Sequence, residues 1–410
     1  KIEAVTGGSN HGFRHRCDRT EERIMRNRTN GIQVLSAAAL ATALLFAGCG
    51  QKANRQGSAN SGETAQAESA NEARETYAYQ SEEADSNGLR HFKDAAGRDV
   101  SVKKDLTKVA VLSTDAQSYL YMIAPEKLVS VWQEPKAEDY VPSAYANLPA
   151  IGKNKASDQK AALLSYQPEV ILYMSNGNEK ETGTGAMADK LQADFGVPVV
   201  EIDSSFAGQG NAFRMLGDLL GKRERGEELA AYTDDVYRRV TAVAEKEKKK
   251  EKKLICFRGS MENEVLLKSA KTSEVINLLA DNVVEMQGTE AQQRGGSMIL
   301  EVADVKQLNP DVILTDTANF LNQMNSDSSW QEIPAIKNTQ VYLIPSRPHS
   351  WVLSPAQYPI GAIWLANTLY PKQANFDLEK EIRQYFKTCY GKDLSAEEYQ
   401  NLLSPQENRQ

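Results

Sequence analysis

The sequence predicts an α/β protein of two similar lobes, each built on a mainly parallel sheet covered by helices, with one long helix joining them. Three observations carry this. Past Leu89, short β-branched runs alternate with stretches of helical spacing, the pattern of parallel strands connected through covering helices. Between 207 and 250 that alternation stops, and Phe213, Leu216, Leu219, Leu220, Leu229, Tyr232, Val236 and Val240 recur at helical spacing. On either side the chain repeats a phrase, Leu164-Ser-Tyr-Gln-Pro-Glu-Val-Ile-Leu172 and Gln307-Leu-Asn-Pro-Asp-Val-Ile-Leu314. In both, a helix stops before the Pro and a buried strand starts after it.

In chain order, the first lobe is expected to have strands at 108–112, 128–131, 170–173 and 197–202, with helices at 117–123, 160–165 and 185–195 between them. The joining segment ends in a charge run, EKEKKKEKK, in which Glu245, Glu247 and Glu251 interrupt the lysines as on a solvated helix end. Strands resume at 253–257, 265–267, 312–315 and 340–344, with helices at 273–280, 302–308 and 355–370. The expected divisions are a first lobe at 89–222, the interlobe helix at 223–250, and a second lobe with terminal helices at 251–410.

The 410 residues are more than one compact core needs, and 48 Lys+Arg against 55 Asp+Glu leave a net charge of -7, no footprint for nucleic acid. Part of that length serves addressing. Arg26 and Arg28 precede an apolar run at 32–46, and Ala47 and Gly48 precede Cys49. A run that short fits a secretory signal better than a membrane span. Leu45-Phe46-Ala47-Gly48-Cys49 resembles the bacterial lipobox, in which the chain is cut before a Cys that is then lipidated.

Residues 25–48 are therefore expected to be a lipoprotein signal, with Cys49 as the lipid anchor on the extracytoplasmic face of the cell membrane. Residues 49–88, rich in Ser, Ala, Gln, Glu, Asn and Gly, are expected to form a disordered tether. Residues 1–24 lack apolar periodicity, and the codons of Glu21-Glu22-Arg23-Ile24 can form a purine-rich run ahead of Met25. They are expected to be upstream sequence, with Met25 as the start. Two thiols then remain in the fold, Cys256 and Cys389, and the sequence leaves open whether they pair.

No HExxH, P-loop or GxSxG is present, and past the leader only His91 and His349 remain, far apart in sequence. Gly183-Thr184-Gly185-Ala186-Met187-Ala188 fits GxGxxA, with Asp203 downstream. A dinucleotide site needs those glycines directly after a strand, and here a polar stretch intervenes after Tyr173. A nucleotide-dependent enzyme using this loop is the lesser alternative, and no cofactor is expected.

Binding is the better reading. Ligands of open α/β sheets sit at the carboxyl ends of the strands, and two facing lobes supply two such rims with a cleft between them. The candidate contacts are Thr114, Gln117, Trp132, Tyr173, Ser175, Arg258, Arg347, His349 and Trp351. Arg258 directly follows an apolar strand, and Arg347-Pro348-His349-Ser350-Trp351 joins cations to an aromatic. Arg pairs with carboxylate, phosphate or oxyanion, and Trp stacks on flat groups. Arg258 equally suits a structural ion pair and Trp351 an interlobe packing role, and the sequence leaves both open.

Over 92–403 the chain resembles the ABC-transporter substrate-binding proteins for iron complexes, the class that also takes up haem, cobalamin and molybdate. The resemblance rests on Asp94-Ala-Ala-Gly97-Arg98, 163–172, Gly196-Val-Pro-Val-Val-Glu-Ile-Asp203 and 308–315, followed by 330–337, 341–345 and Trp364-Leu-Ala-Asn-Thr-Leu-Tyr-Pro371. It implies two Rossmann-like lobes bridged by a long rigid helix at about 223–247, and ligand capture in the cleft by a monomer without catalysis of its own. It also implies delivery to a membrane permease with a cytoplasmic ATPase. The ligand stays open among a siderophore, haem, cobalamin and an oxyanion such as molybdate, while two His residues argue against a free-zinc carrier.

The family usually carries a Glu seven residues before the Pro of each repeated phrase, to dock on the permease. Here Ala161 and Ala303 occupy those positions, and Asp158, Glu301 and Asp304 are the nearby acids that would substitute. The two alanines motivate a further alternative, an extracytoplasmic sensor or adhesin on the same fold.

Overall fold

The computed structural model describes residues 79, 83–136, 139–141, 147–174, 185–247, 252–259, 263–285, 293–294 and 296–404. The leader, Cys49, Ser175, Gly183 and most of the expected tether lie outside the described residues.

The first lobe opens with a hairpin absent from the sequence reading, β1 (Leu89–Lys93) against β2 (Asp99–Lys103), antiparallel with Leu89 opposite Lys103. Phe92, Val100 and Val102 point inward in alternation with exposed positions. The hairpin is stapled to the lobe by Asp94, a fully buried carboxylate that accepts from the N–H groups of Ala96, Arg98 and Glu201 and from the Arg98 guanidinium. The Asp94–Arg98 phrase is thus a clamp between a turn and a sheet. Tyr79, inside the stretch expected as tether, is docked on the same lobe. Its hydroxyl donates to Asp218 at 2.5 Å and accepts from Arg90 at 2.9 Å, and its ring meets Phe92 at 5.8 Å.

The parallel sheet follows: β3 (Val109–Val111), α1 (Thr114–Ile123), α2 (Ala156–Ser165), β4 (Val170–Met174), α3 (Ala186–Phe195) and β5 (Val199–Ile202), in strand order β3-β4-β5. The strand expected at 128–131 is reduced to isolated bridges, Val109 to Leu128 and Val131 to Ala150. A 3-10 turn at Pro125–Lys127 delays its start, and the Gln117 side chain takes the next N–H groups, those of Trp132 and Gln133.

The expected helical stretch divides into α4 (Gln209–Leu219) and α5 (Arg223–Lys246), turning at Gly221, whose φ is +66°. The two helices touch backbone to backbone: a Cβ on Gly226 would lie 2.6 Å from the Phe213 carbonyl oxygen and 2.9 Å from the Gly217 Cα. No larger residue fits that crossing. On its other faces α5 meets helices of both lobes.

The second lobe comprises β6 (Lys253–Phe257), β7 (Glu264–Leu266), α6 (Glu274–Leu279), β8 (Asp281–Asn282), β9 (Gln293–Arg294), β10 (Ser297–Ile299), α7 (Val302–Leu308), β11 (Val312–Thr315), α8 (Ala318–Ser326), α9 (Pro334–Lys337) and β12 (Val341–Leu343). Four terminal helices close it: α10 (Tyr358–Leu369), α11 (Pro371–Ala374), α12 (Leu378–Tyr390) and α13 (Ala396–Leu403). Strands β8, β6, β11 and β12 are parallel, while β7, β10 and β9 extend the sheet antiparallel from β6.

The repeated phrase has the same structure twice. Gln167 and Asn309, with φ of +54° and +51°, end α2 and α7 ahead of Pro168 and Pro310. The acid after each Pro then pins the start of the neighbouring strand. Glu169 accepts from the N–H groups of Thr107 and Lys108 at 2.7 and 3.2 Å, and Asp311 accepts from that of Lys253 at 3.0 Å. Both cysteines are free and buried, Cys256 in β6 and Cys389 in α12, and burial pushes both thiols far up, so they are inert. Among the described residues no helix is long and apolar enough to cross a membrane.

Glu274, part-buried at the start of α6, ties the lobes together by accepting from the N–H of Phe206 at 2.9 Å and of Ala207 at 3.4 Å. Burial pushes its carboxyl up to about 7, against the pull of those two donors, and the neighbouring Asp203 charge raises it further. A folded-state value above the unfolded one means that the native protein holds the proton, so stability falls as pH rises between about 4.5 and 7. Glu274→Gln should flatten the pH dependence of the thermal midpoint across that window, by about 2 kcal/mol after allowing for solvent screening. Calorimetry of both proteins at pH 5 and pH 7.5 checks this, and parallel slopes would exclude it.

Candidate functional site

The rim loops of the two lobes meet at a pocket of about 460 Å³, lined by Trp132, Gln133, Gly152 and Lys153 from the first lobe and Ser346, His349 and Ser350 from the second. Of the expected contacts, Trp132 and His349 line it. Lys153 and Gly152 had no signal in the sequence, because they fall outside the expected strands and helices. Ser346 and Ser350 belong to the phrase already singled out.

The first wall is fixed from behind. Gln117, on α1 and only 3% exposed, accepts from the N–H of Trp132 at 2.6 Å and of Gln133 at 3.0 Å, and donates to the Gln133 carbonyl at 2.8 Å. Gly152 closes the other side: its N–H donates to the Trp132 carbonyl at 2.9 Å, and a Cβ there would meet that oxygen at 2.4 Å and the indole at 3.0 Å. The ring lies where only glycine leaves room. The second wall turns through Arg347 to Trp351. Trp351 is fully buried, with its backbone N–H on the Pro345 carbonyl at 2.9 Å and its indole N–H on the Arg347 carbonyl at 2.7 Å.

Gln117 and Trp351 are therefore corrected: neither faces the pocket, and each spends its polar groups on backbone. The packing alternative holds for Trp351.

The remaining candidates divide. Thr114 opens α1, half-buried, and its carbonyl accepts from Ser118 Oγ. Tyr173, 8% exposed, belongs to a buried cluster with Ile151, Leu163 and Ala188, against which Trp132 also packs, and is not itself among the residues lining the pocket. Arg258 leaves β6 beside Asp316: burial pushes that carboxyl up to about 6, while the Gly259 N–H and the Arg258 charge oppose the rise. Arg347 belongs to the second wall. Its Nε and Ser350 Oγ are buried with no hydrogen-bond partner among the described residues.

Asp115, two residues before Gln117, crosses to the other lobe and accepts from the Ser354 hydroxyl. Burial pushes its carboxyl up, and the Ser354 bond, the His349 charge and the Ala356 N–H draw it back. Asp158 lies exposed in the first turn of α2. Glu301 and Asp304, also exposed, form a reciprocal capping box on α7, and Ala161 and Ala303 are exposed nearby. Gly185 of the expected GxGxxA heads α3 at φ +83° and is packed on the Arg98 side chain, where a Cβ would come within 2.5 Å. That glycine serves packing.

A larger cavity of about 650 Å³ lies at the amino end of β3, among Arg90, Lys104, Lys127, Asp218 and Arg223. Asp218 there is shared by Tyr79, Arg90 and Arg223, so the cavity is bordered by a structural ion-pair network. Among the described residues no group of His, Cys, Asp and Glu could hold a metal ion.

Two α/β lobes contributing opposite walls of one pocket define a solute-binding protein. The profile of the periplasmic binding protein family matches residues 109–348, and the chain belongs to that family. It is 24% identical over 68% of its length to an ABC transporter substrate-binding lipoprotein, YvrC, of Bacillus subtilis, covering 84% of that protein. It is 22% identical over 73% of its length to the molybdate-binding protein MolA of Haemophilus influenzae, covering 91% of that one. Among solved structures, a solute-binding protein of Sulfurospirillum deleyianum superposes with a TM-score of 0.67 at 19% identity, over 76% of this chain and 98% of that one. Molybdate-bound MolA gives 0.58 at 19%, over 75% and 99%.

Burial assigns opposite outcomes to the two tryptophans. Trp351→Ala should destabilise the protein by about 3–5 kcal/mol, the cost of emptying a filled core site. Trp132→Ala, at a half-buried rim, should move the thermal midpoint little. Denaturant unfolding of both variants checks the contrast, and equal losses would contradict it.

Proposed function

We propose that the protein is the lipid-anchored, extracytoplasmic solute-binding component of an ABC importer, and that it takes an anionic ligand in the pocket between its lobes. The observation that carries this is the donor set. The lining offers the Lys153 ammonium, the His349 imidazole, the hydroxyls of Ser346 and Ser350 and the Trp132 indole N–H, and no carboxylate among the described residues. Two of the buried atoms without a partner among the described residues belong to the second wall's turn, Arg347 Nε and the Oγ of the lining residue Ser350. Glu134 reaches Lys153 at 3.4 Å, but both side chains are exposed and such a pair competes weakly.

This chemistry suits an oxyanion such as molybdate or an anionic metal complex such as a ferric siderophore or haem, and suits cobalamin less well. Molybdate binding by MolA, named above, supports the oxyanion reading. Delivery to a permease and its ATPase would use the exposed first turns of α2 and α7, with Asp158, Glu301 and Asp304 in place of the glutamates absent at Ala161 and Ala303. The ligand would be held by a monomer, with Cys49 as the membrane anchor.

Trp132 gives the test its signal. Titration with molybdate, a ferric siderophore or haem should quench fluorescence, with at least one saturating at micromolar concentration or below, while NAD should leave it unchanged. Trp132→Phe should remove most of the response. Lys153→Ala and His349→Ala should each weaken binding at least about tenfold with the thermal midpoint nearly unmoved. Saturable quenching by NAD alone would overturn the reading in favour of a nucleotide site.

A further inference from the structure

Both walls of the pocket are tied to one turn of one helix. Ser113 caps α1, its Oγ accepting from the Ala116 N–H at 3.1 Å, which fixes where the helix starts. Gln117 then makes its three bonds to the backbone of Trp132 and Gln133, and its amide also lies 3.3 Å from the Tyr121 hydroxyl one turn on. Asp115 accepts from the Ser354 hydroxyl, and the Ser354 N–H donates to the Ser350 carbonyl at 3.1 Å. The path from Asp115 therefore ends on a residue that lines the pocket. Residues two apart lie about 200° round a helix and cannot face each other. Asp115 and Gln117 consequently reach in opposite directions, one to each lobe.

We propose that the first turn of α1 is the positioning element of the pocket, with Gln117 fixing the Trp132–Gln133 wall and Asp115 fixing the Ser350 wall through Ser354. One helical turn then sets the distance between the walls, and with it the size of ligand accepted. The inference rests on reading the pocket as the ligand site. Neither residue lines the pocket, so both act through others. Sliding or tilting α1 would move the two walls together, whereas loosening either bond frees only one.

Amide hydrogen exchange on the whole folded chain without ligand tests the positioning alone. In Gln117→Met the Trp132 and Gln133 amides should exchange about tenfold faster, the expected result of removing their acceptor, with no change around Ser350 and Ser354. Gln117→Glu keeps an acceptor for both N–H groups and should restore part of the protection. Asp115→Ala should speed exchange at Ser354 and leave Trp132 and Gln133 alone, and Asp115→Asn, which keeps an acceptor for the hydroxyl, should behave as wild type.

In a molybdate or ferric-siderophore titration, Gln117→Met and Asp115→Ala should each bind at least about tenfold more weakly, through faster dissociation. Unchanged exchange at Trp132 and Gln133 in a folded Gln117→Met protein overturns the proposal, as does equal loosening of both walls by either variant. The expected exchange changes in the variants, together with a wild-type protein that binds neither probe, would uphold the positioning and overturn only the reading of the pocket.

Discussion

The close crossing of α4 and α5 is the constraint on which the rest depends. Where Gly217 and Gly226 meet, two helix backbones approach to within reach of each other's Cα atoms. Each glycine costs about 1 kcal/mol of helix propensity, and that cost is met by packing. Leu229, Ala230, Val236 and Val240 of α5 are fully buried, in one cluster with Phe213 and Leu216 of α4, Leu120 of α1, Ile363 of α10 and Phe386 of α12. The core therefore runs without interruption from the first sheet to the second. A pocket with one wall on each sheet keeps its width only because the material behind it is continuous and close-packed.

How much of this was legible follows from what sequence patterns encode. The repeated phrase announced its helix, its Pro and its strand, because a helix ending before Pro and an apolar run after it are local events. The role of Glu169 and Asp311 in pinning a neighbouring strand was not visible, since their partners lie about sixty residues away in sequence. Trp132 and His349, expected on rim loops because of their polar company, do both line the pocket. Gln117 and Trp351 carried the same residue-type signal, yet both turn inward: a buried amide bonds backbone as readily as ligand, and an indole fills a core as readily as a cleft. The lost strand at 128–131 has a different origin. Its β-branched residues do pair, Val129 N–H on Val109 and Val131 N–H on Pro149, but with two different partners and only as isolated bridges.

Electrostatic placement explains why a chain of net charge -7 can present a donor-lined pocket. Three acids of the two lobes are committed to the frame. Asp115 is bonded to Ser354, Glu274 to the backbone of Phe206 and Ala207, and Asp316 to the Gly259 N–H beside the Arg258 charge. Each is held at the cost of burial, which raises all three carboxyls above their ordinary values. Every carboxylate turned into the frame is one fewer to repel an anion, while Lys153 and His349 remain on the lining.

Two of the buried side-chain atoms without partners among the described residues bear on the same wall. An unsatisfied buried donor costs about 1–3 kcal/mol, and the Arg347–Trp351 turn holds two such atoms, Arg347 Nε and Ser350 Oγ. Trp351 anchors that turn through other atoms, its own N–H groups on the Pro345 and Arg347 carbonyls. A ligand that accepts hydrogen bonds would recover what the unliganded fold leaves unmatched, so part of its affinity comes from relief of a penalty already present in the protein. The Arg347 Nε–H can only donate, so its relief needs an acceptor, whereas the Ser350 hydroxyl can either donate or accept.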